Sequence, residues 1–104
     1  MDREIEEKYL KELAKGNRKA FEAIYMIYAP RVEYFLRGLL KNDLEAEDMT
    51  QDIFYKVWSN HETIAQVDSF KSYLFRMAKN AVYNHYSHLL IKENYIEIQK
   101  NMQP

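Results

Sequence analysis

Between residues 43 and 58 the string DLEAEDMTQDIFYKVW divides into two faces. At about 100° per residue, Ala46, Thr50, Ile53 and Val57 stack into one mostly apolar seam, while Asp48, Gln51, Asp52 and Tyr55 cluster opposite them. The same helical period governs the rest of the chain. A first helix, over about residues 2–15, is charged and amphipathic through Ile5, Tyr9, Leu10 and Leu13, and it ends at Gly16-Asn17, a C-cap followed by an N-cap. A second, over about 18–41, carries Phe21, Ile24, Tyr25, Ile27 and Tyr28 nearly all round. It continues past Pro30 with Val32, Phe35, Leu36 and Leu39 at i, i+3, i+4, i+7, which makes it the central, most buried element. Asn42-Asp43 breaks it and caps a third helix over about 44–59. Residues 60–68 read as a loop closed by Asp68 or Ser69 as N-cap. A fourth helix runs from about 69 to at least 90, burying Phe70, Leu74, Met77 and Ala81. The tail IKENYIEIQKNMQP either extends that helix or starts a linker. The fold class expected is all-α, a compact bundle of about four helices.

Charge sharpens the picture of the third helix. From residue 42 to 55 there are five acids (Asp43, Glu45, Glu47, Asp48, Asp52) and no Lys or Arg. Acids in a first turn complement the helix dipole, and Asn42 with Glu45 has capping-box spacing. Those effects account for the acids at the start, but Asp52 lies more than two turns in. A docking surface and a plain solvated face are the two readings of what remains. The fourth helix has the opposite character. Residues 69–92 hold Lys71, Arg76, Lys79 and Lys92, with His85 and His88, and no acid. Opposite its apolar stripe, Ser72, Arg76, Lys79, Tyr83 and Tyr86 fall within about 80° of arc. Cations that track phosphates, interleaved with rings that stack on unpaired bases, suit single-stranded nucleic acid. Asn80 sits at the edge of that face, with an amide able to donate to and accept from a base edge.

Composition limits the alternatives. A chain of 104 residues with 47% apolar content makes one compact domain with a core of its own. With no cysteine, thiolate metal sites and redox chemistry are excluded. No apolar run reaches the roughly 18–20 residues of a membrane span, and DREIEEKYLKELAKG is too charged for a signal peptide, so a cytoplasmic protein with no membrane insertion is expected. The net charge of −1 speaks against a simple nucleic-acid binder, whereas its uneven distribution suits a molecule with one acidic and one basic partner. His61-Glu62 begins like a zinc-protease motif, but Ala65 stands where the second ligand would be. His85 and His88 share a helix face without a third ligand. Asp48 and Asp52 have no nucleophile beside them, and there is no Gly-rich phosphate loop. Neither an enzyme nor a cofactor or metal site is expected. Tyr25, Tyr28, Tyr34 and Phe35 read as core and rim.

Three ordered segments carry a resemblance to a known family. AEDMTQDIFYKVW resembles the AED-x-x-Q-D/E-x-F-x-x-x-W signature of region 2 in extracytoplasmic-function (ECF) sigma factors. AFEAIYMIYAPRVEYFL resembles that family's opening segment, and FKSYLFRMAKNAVYNHY its F-x-x-W/Y-L-x-R-I-A-x-N segment; together they span about residues 20–86. The chain departs from the pattern at Tyr73, where Trp is usual, at Asn84, where Asp is frequent, and at Ser87-His88, where a basic pair often closes the helix. The resemblance implies a sigma region 2 domain over residues 1–91, with 92–104 as the helix end or the start of a linker to a second, −35-reading domain that lies outside this chain. It implies that Asp48, Gln51, Asp52 and Tyr55 meet a coiled coil on the largest subunit of bacterial core RNA polymerase. It also implies that Ser59, Asn60, His61, Lys71, Arg76, Lys79, Asn80, Tyr83, Asn84 and Tyr86 face promoter DNA. There the loop from Ser59 to Val67 would capture a flipped base of the −10 non-template strand, with Asn80 and Asn84 on the helix beneath. An anti-sigma factor is the further partner implied. The rival reading is a helical adaptor that keeps the acidic face and does not touch DNA.

Overall fold

The computed structural model describes residues 3–102, all of them in helices or the short joints between helices. The order is α1 (Arg3–Ala14), α2 (Arg18–Leu40), α3 (Asp43–Ser59), a 3₁₀ segment (His61–Gln66) and α4 (Phe70–Met102). The joints are built as the cap residues dictate. Gly16 adopts φ +85°, and its N–H and that of Asn17 close α1 by donating to the carbonyls of Leu13 and Glu12 at 2.8 and 3.0 Å. Asn17 then accepts from the Ala20 N–H at 3.1 Å and starts α2. Asn42 accepts from the Glu45 N–H at 2.9 Å and starts α3, and Ser69 does the same for α4 through the Ser72 N–H at 3.2 Å.

α2 is the central element and packs on α1, α3 and α4. Ala29 apart, its buried residues recur every fourth position: Ala20, Ile24, Tyr28, Val32, Leu36, Leu40. A period of four drifts by about 40° per step on a helix of 3.6 residues per turn, so the stripe winds round the axis. That winding lets one helix serve three neighbours. Near its N-terminal end Phe21 and Tyr25 meet Phe54 and Trp58 of α3, in mid-helix Tyr28 meets Phe70, and near its C-terminal end Phe35 meets Phe75 of α4. Leu39, expected in the stripe, is instead 43% exposed, and Leu40 is buried in its place.

Two other expectations shift. The buried residues of α4 are Phe70, Leu74, Ala78 and Val82, while Met77 and Ala81 are only half-buried. The stripe follows the period of α2, against which it packs, and not the i+7 step read from the sequence. The segment after α3 is a 3₁₀ turn rather than an open loop, because Ile64 is buried in the core and draws the chain inward. In α3 the seam Ala46, Thr50, Ile53 and Val57 is buried as read, and the Thr50 hydroxyl is satisfied by the Ala46 carbonyl at 2.7 Å. Phe54, at 1% exposure, widens that seam toward the aromatic cluster on α2. Residues 92–102 continue α4 without a break, and the helix runs past the bundle, stretching the molecule to 65 × 24 × 21 Å.

Candidate functional site

The outer face of α3 carries Asp48, Gln51, Asp52 and Tyr55, all exposed, with Tyr55 at 72%. The seam behind them anchors the helix, so their direction is fixed by Ile53, Phe54 and Val57. Among the described residues neither Asp48 nor Asp52 has a cation within ion-pairing distance. Gln51 is held in place. Its amide donates to the Tyr25 hydroxyl on α2 at 2.6 Å, joining residues 26 positions apart. The face therefore spreads across two helices. Met26 stands 72% exposed on α2, and a cleft of about 160 Å³ between α2 and α3 is edged by Glu33 on one side and Glu47 on the other. Sequence reading missed Tyr25, Met26, Glu33 and Glu47 as parts of this surface. The signal available was Met26, Pro30 and Glu33 at i, i+4, i+7, a solvent face on a helix otherwise apolar nearly all round.

On α4 the residues Arg76, Lys79, Asn80, Tyr83 and Asn84 are exposed, and the Tyr83 ring is 72% accessible. They lie along one side of the helix. Two members of the predicted basic and aromatic set are placed otherwise. Tyr86 donates its hydroxyl to the Leu39 carbonyl at 2.9 Å, tying α4 to the end of α2. Lys71 sits in the first turn of α4, on the groove shared with Arg3, Glu6 and Glu7 of α1, some 80° or more round the helix from Lys79.

The segment from Ser59 to Val67 is docked on α1 rather than standing above Asn80 and Asn84. Ser59 ends α3 and is exposed. Asn60 closes α3, its side-chain amide donating to the Lys56 carbonyl at 3.1 Å, while its own carbonyl accepts from the Thr63 hydroxyl at 2.8 Å. His61 places Nδ1 3.1 Å from the Ala14 carbonyl and its ring 5.7 Å from that of Trp58. A carbonyl only accepts, so Nδ1 carries the proton in this bond. The ring also explains Gly16, where a Cβ would lie 3.2 Å from His61 Cε1. Asn80 is ten residues beyond Phe70, about 15 Å along the axis.

Two carboxylate contacts between helices show what some of the remaining charges do. Glu45 does not return to Asn42 to complete the capping box; its carboxylate lies 3.5 Å from Nε2 of His85, joining α3 to α4. Buried Tyr28 donates to the Glu6 carboxylate, with the Arg31 guanidinium 5.7 Å from its ring centre. Burial, then that hydrogen bond, push the Tyr28 phenol up to about 12. Among the described residues there is no group of three or more His, Cys, Asp or Glu able to hold a metal ion, and no helix is long and apolar enough to cross a membrane.

Residues 24–89 of this all-helical chain match the Sigma-70 region 2 family, and the chain belongs to that family, in its ECF branch. Over 73 residues it is 32% identical to the ECF RNA polymerase sigma factor SigW of Bacillus subtilis (strain 168), an alignment covering 70% of this chain and 39% of that protein. The chain thus spans about two fifths of the length of that curated relative. No solved structure matches it.

Proposed function

We propose that the chain is the part of a cytoplasmic sigma factor that joins core RNA polymerase to the −10 element and helps open it. The observation that supports this most is the α3 face, where Asp48 and Asp52 stand exposed with no cation in ion-pairing distance among the described residues and Tyr55 is 72% accessible. Unpaired acids beside an exposed ring are suited to a basic helical surface, the coiled coil of the polymerase's largest subunit, since each gains a partner there without losing one. On the other side Arg76 and Lys79 track the strand, Tyr83 stacks on an unpaired base, and Asn80 and Asn84 read base edges. Opening then needs no nucleotide hydrolysis, because captured single strand is removed from the duplex equilibrium. An anti-sigma factor would act by covering one of these faces.

Pull-down of purified core polymerase, with and without a −10 non-template oligonucleotide, tests the reading. Parent chain should retain polymerase and, in its presence, the cognate strand; absence of polymerase binding would overturn the proposal. A helical adaptor without DNA binding is the second reading. The placement of Lys71, His61 and Tyr86, each turned toward α1 or α2, leaves the nucleic-acid face with two cations and favours it. Polymerase retention with no strand capture would select it.

A further inference from the structure

The cleft between α2 and α3 has a feature that the acids of its rim do not explain. Pro30 lies in the middle of α2, where a proline lacks the N–H that the carbonyl four residues back would accept. Met26 is that residue, so its carbonyl has no i+4 donor. Met26 and Pro30 both line the cleft, which has Glu33 on the α2 rim, Glu47 on the α3 rim, and Tyr25 and Gln51 at one end. One small concavity is therefore lined by the residue whose carbonyl lacks its helical donor and by two glutamates from facing helices, beside Pro30 and Ala29. At about 160 Å³ it is smaller than the roughly 300–1,000 Å³ of small-molecule sites, and it suits a single side chain.

We infer that this cleft receives one arginine of the helical partner that binds α3. The chemistry favours guanidinium over ammonium. A planar fork presents donors in several directions at once, and its weakly hydrated faces lie against an aromatic wall such as Tyr25, whereas an ammonium is a compact, strongly hydrated point charge. The aliphatic stem covers Met26 and the Pro30 ring. The cleft opens beside Gln51 and is continuous with the Asp48, Asp52 and Tyr55 face, so one partner helix reaches both. The inference rests on the polymerase-binding reading for the identity of the partner, while the cleft's preference for guanidinium stands apart from it.

The decisive variant is Pro30→Ala. Alanine restores the N–H, satisfies the Met26 carbonyl within the helix and removes a helix-breaking residue at an exposed position. Stability and binding should then move in opposite directions: a melting temperature higher by about 4 °C or more, with polymerase affinity about fivefold weaker. Glu33→Gln with Glu47→Gln, both at exposed or half-exposed positions, should weaken binding about tenfold with the fold intact. Affinity unchanged in both, while Asp52→Lys abolishes it, would overturn the inference and leave the polymerase reading standing. Should the parent chain fail to bind polymerase, the reading falls and the cleft is judged separately. Amide shifts in N-acetyl-arginine amide confined to residues around Met26, Pro30, Glu33 and Glu47, stronger than in N-acetyl-lysine amide and lost in Pro30→Ala, would uphold it. Equal or absent shifts would overturn it.

Discussion

Tyr28 shows how one residue couples burial, charge and pH in this chain. The residue is buried, its hydroxyl donates to Glu6 across the α1–α2 contact, and its phenol is raised from 10.0 to about 12. A raised acid favours the protonated form in the folded state, so the contact contributes fully below pH 10 and is lost as pH climbs from about 10 through 12. Tyr28→Phe should lower stability by about 1.5–3 kcal/mol at pH 8, the usual loss for a hydrogen bond to a charged group. The gap to the parent should close by pH 12, and denaturant titrations at the two pH values measure it. At the other face Asp52→Lys should leave folding intact and weaken polymerase binding by about 2–5 kcal/mol, read by titration against core enzyme. The exposure of Asp48, Asp52 and Tyr55 was legible in the sequence because a helix fixes angles between near neighbours. Gln51 to Tyr25 and His61 to Ala14 were not, since they join residues 26 and 47 positions apart and depend on how helices cross.

Among elements, α4 is where periodicity misled. Phe70, Leu74, Met77, Ala78, Ala81 and Val82 are all apolar, so the sequence supports more than one stripe, and the choice is made by the four-residue winding of α2. The structure puts Ala78 at 0% exposure and leaves Ala81 half-buried. Ala78→Leu should therefore overpack the core and destabilise by about 1–3 kcal/mol, whereas Ala81→Leu should change stability by less than about 1 kcal/mol. Leu74→Ala and Ile53→Ala, at positions buried under either stripe, should each cost roughly 2–5 kcal/mol in chemical denaturation. A larger effect at 81 than at 78 would restore the stripe read from the sequence. Helix ends were legible because Gly16, Asn17, Asn42 and Ser69 act locally. The 3₁₀ turn was not, because isolated Ile64 reveals its burial only when a core is there to receive it.

At the scale of the whole molecule the two faces differ in how they respond to salt. With Lys71 turned toward α1, Arg76 and Lys79 remain as the phosphate partners on the α4 face, two where sequence reading counted three. A slope near −0.7 per contact on single strands then gives log affinity against log salt of about −1.4 for the −10 non-template strand. Arg76→Ala should halve it. Tyr83→Ala should leave the slope alone and lower affinity at every salt concentration by about 1–3 kcal/mol, because stacking on a base releases no counterions. Duplex of the same sequence should bind more weakly than the single strand, since a net charge of −1 and two cations on this face compete poorly for paired phosphates and an exposed Tyr83 ring has no unstacked base to meet. Fluorescence anisotropy with labelled strands from 50 to about 300 mM salt separates the two terms, because ionic contacts tilt the line and stacking displaces it. Equal affinity for duplex and single strand, together with a Tyr83→Ala line superimposed on the parent, would assign the molecule to the adaptor reading, with α3 as its one working face.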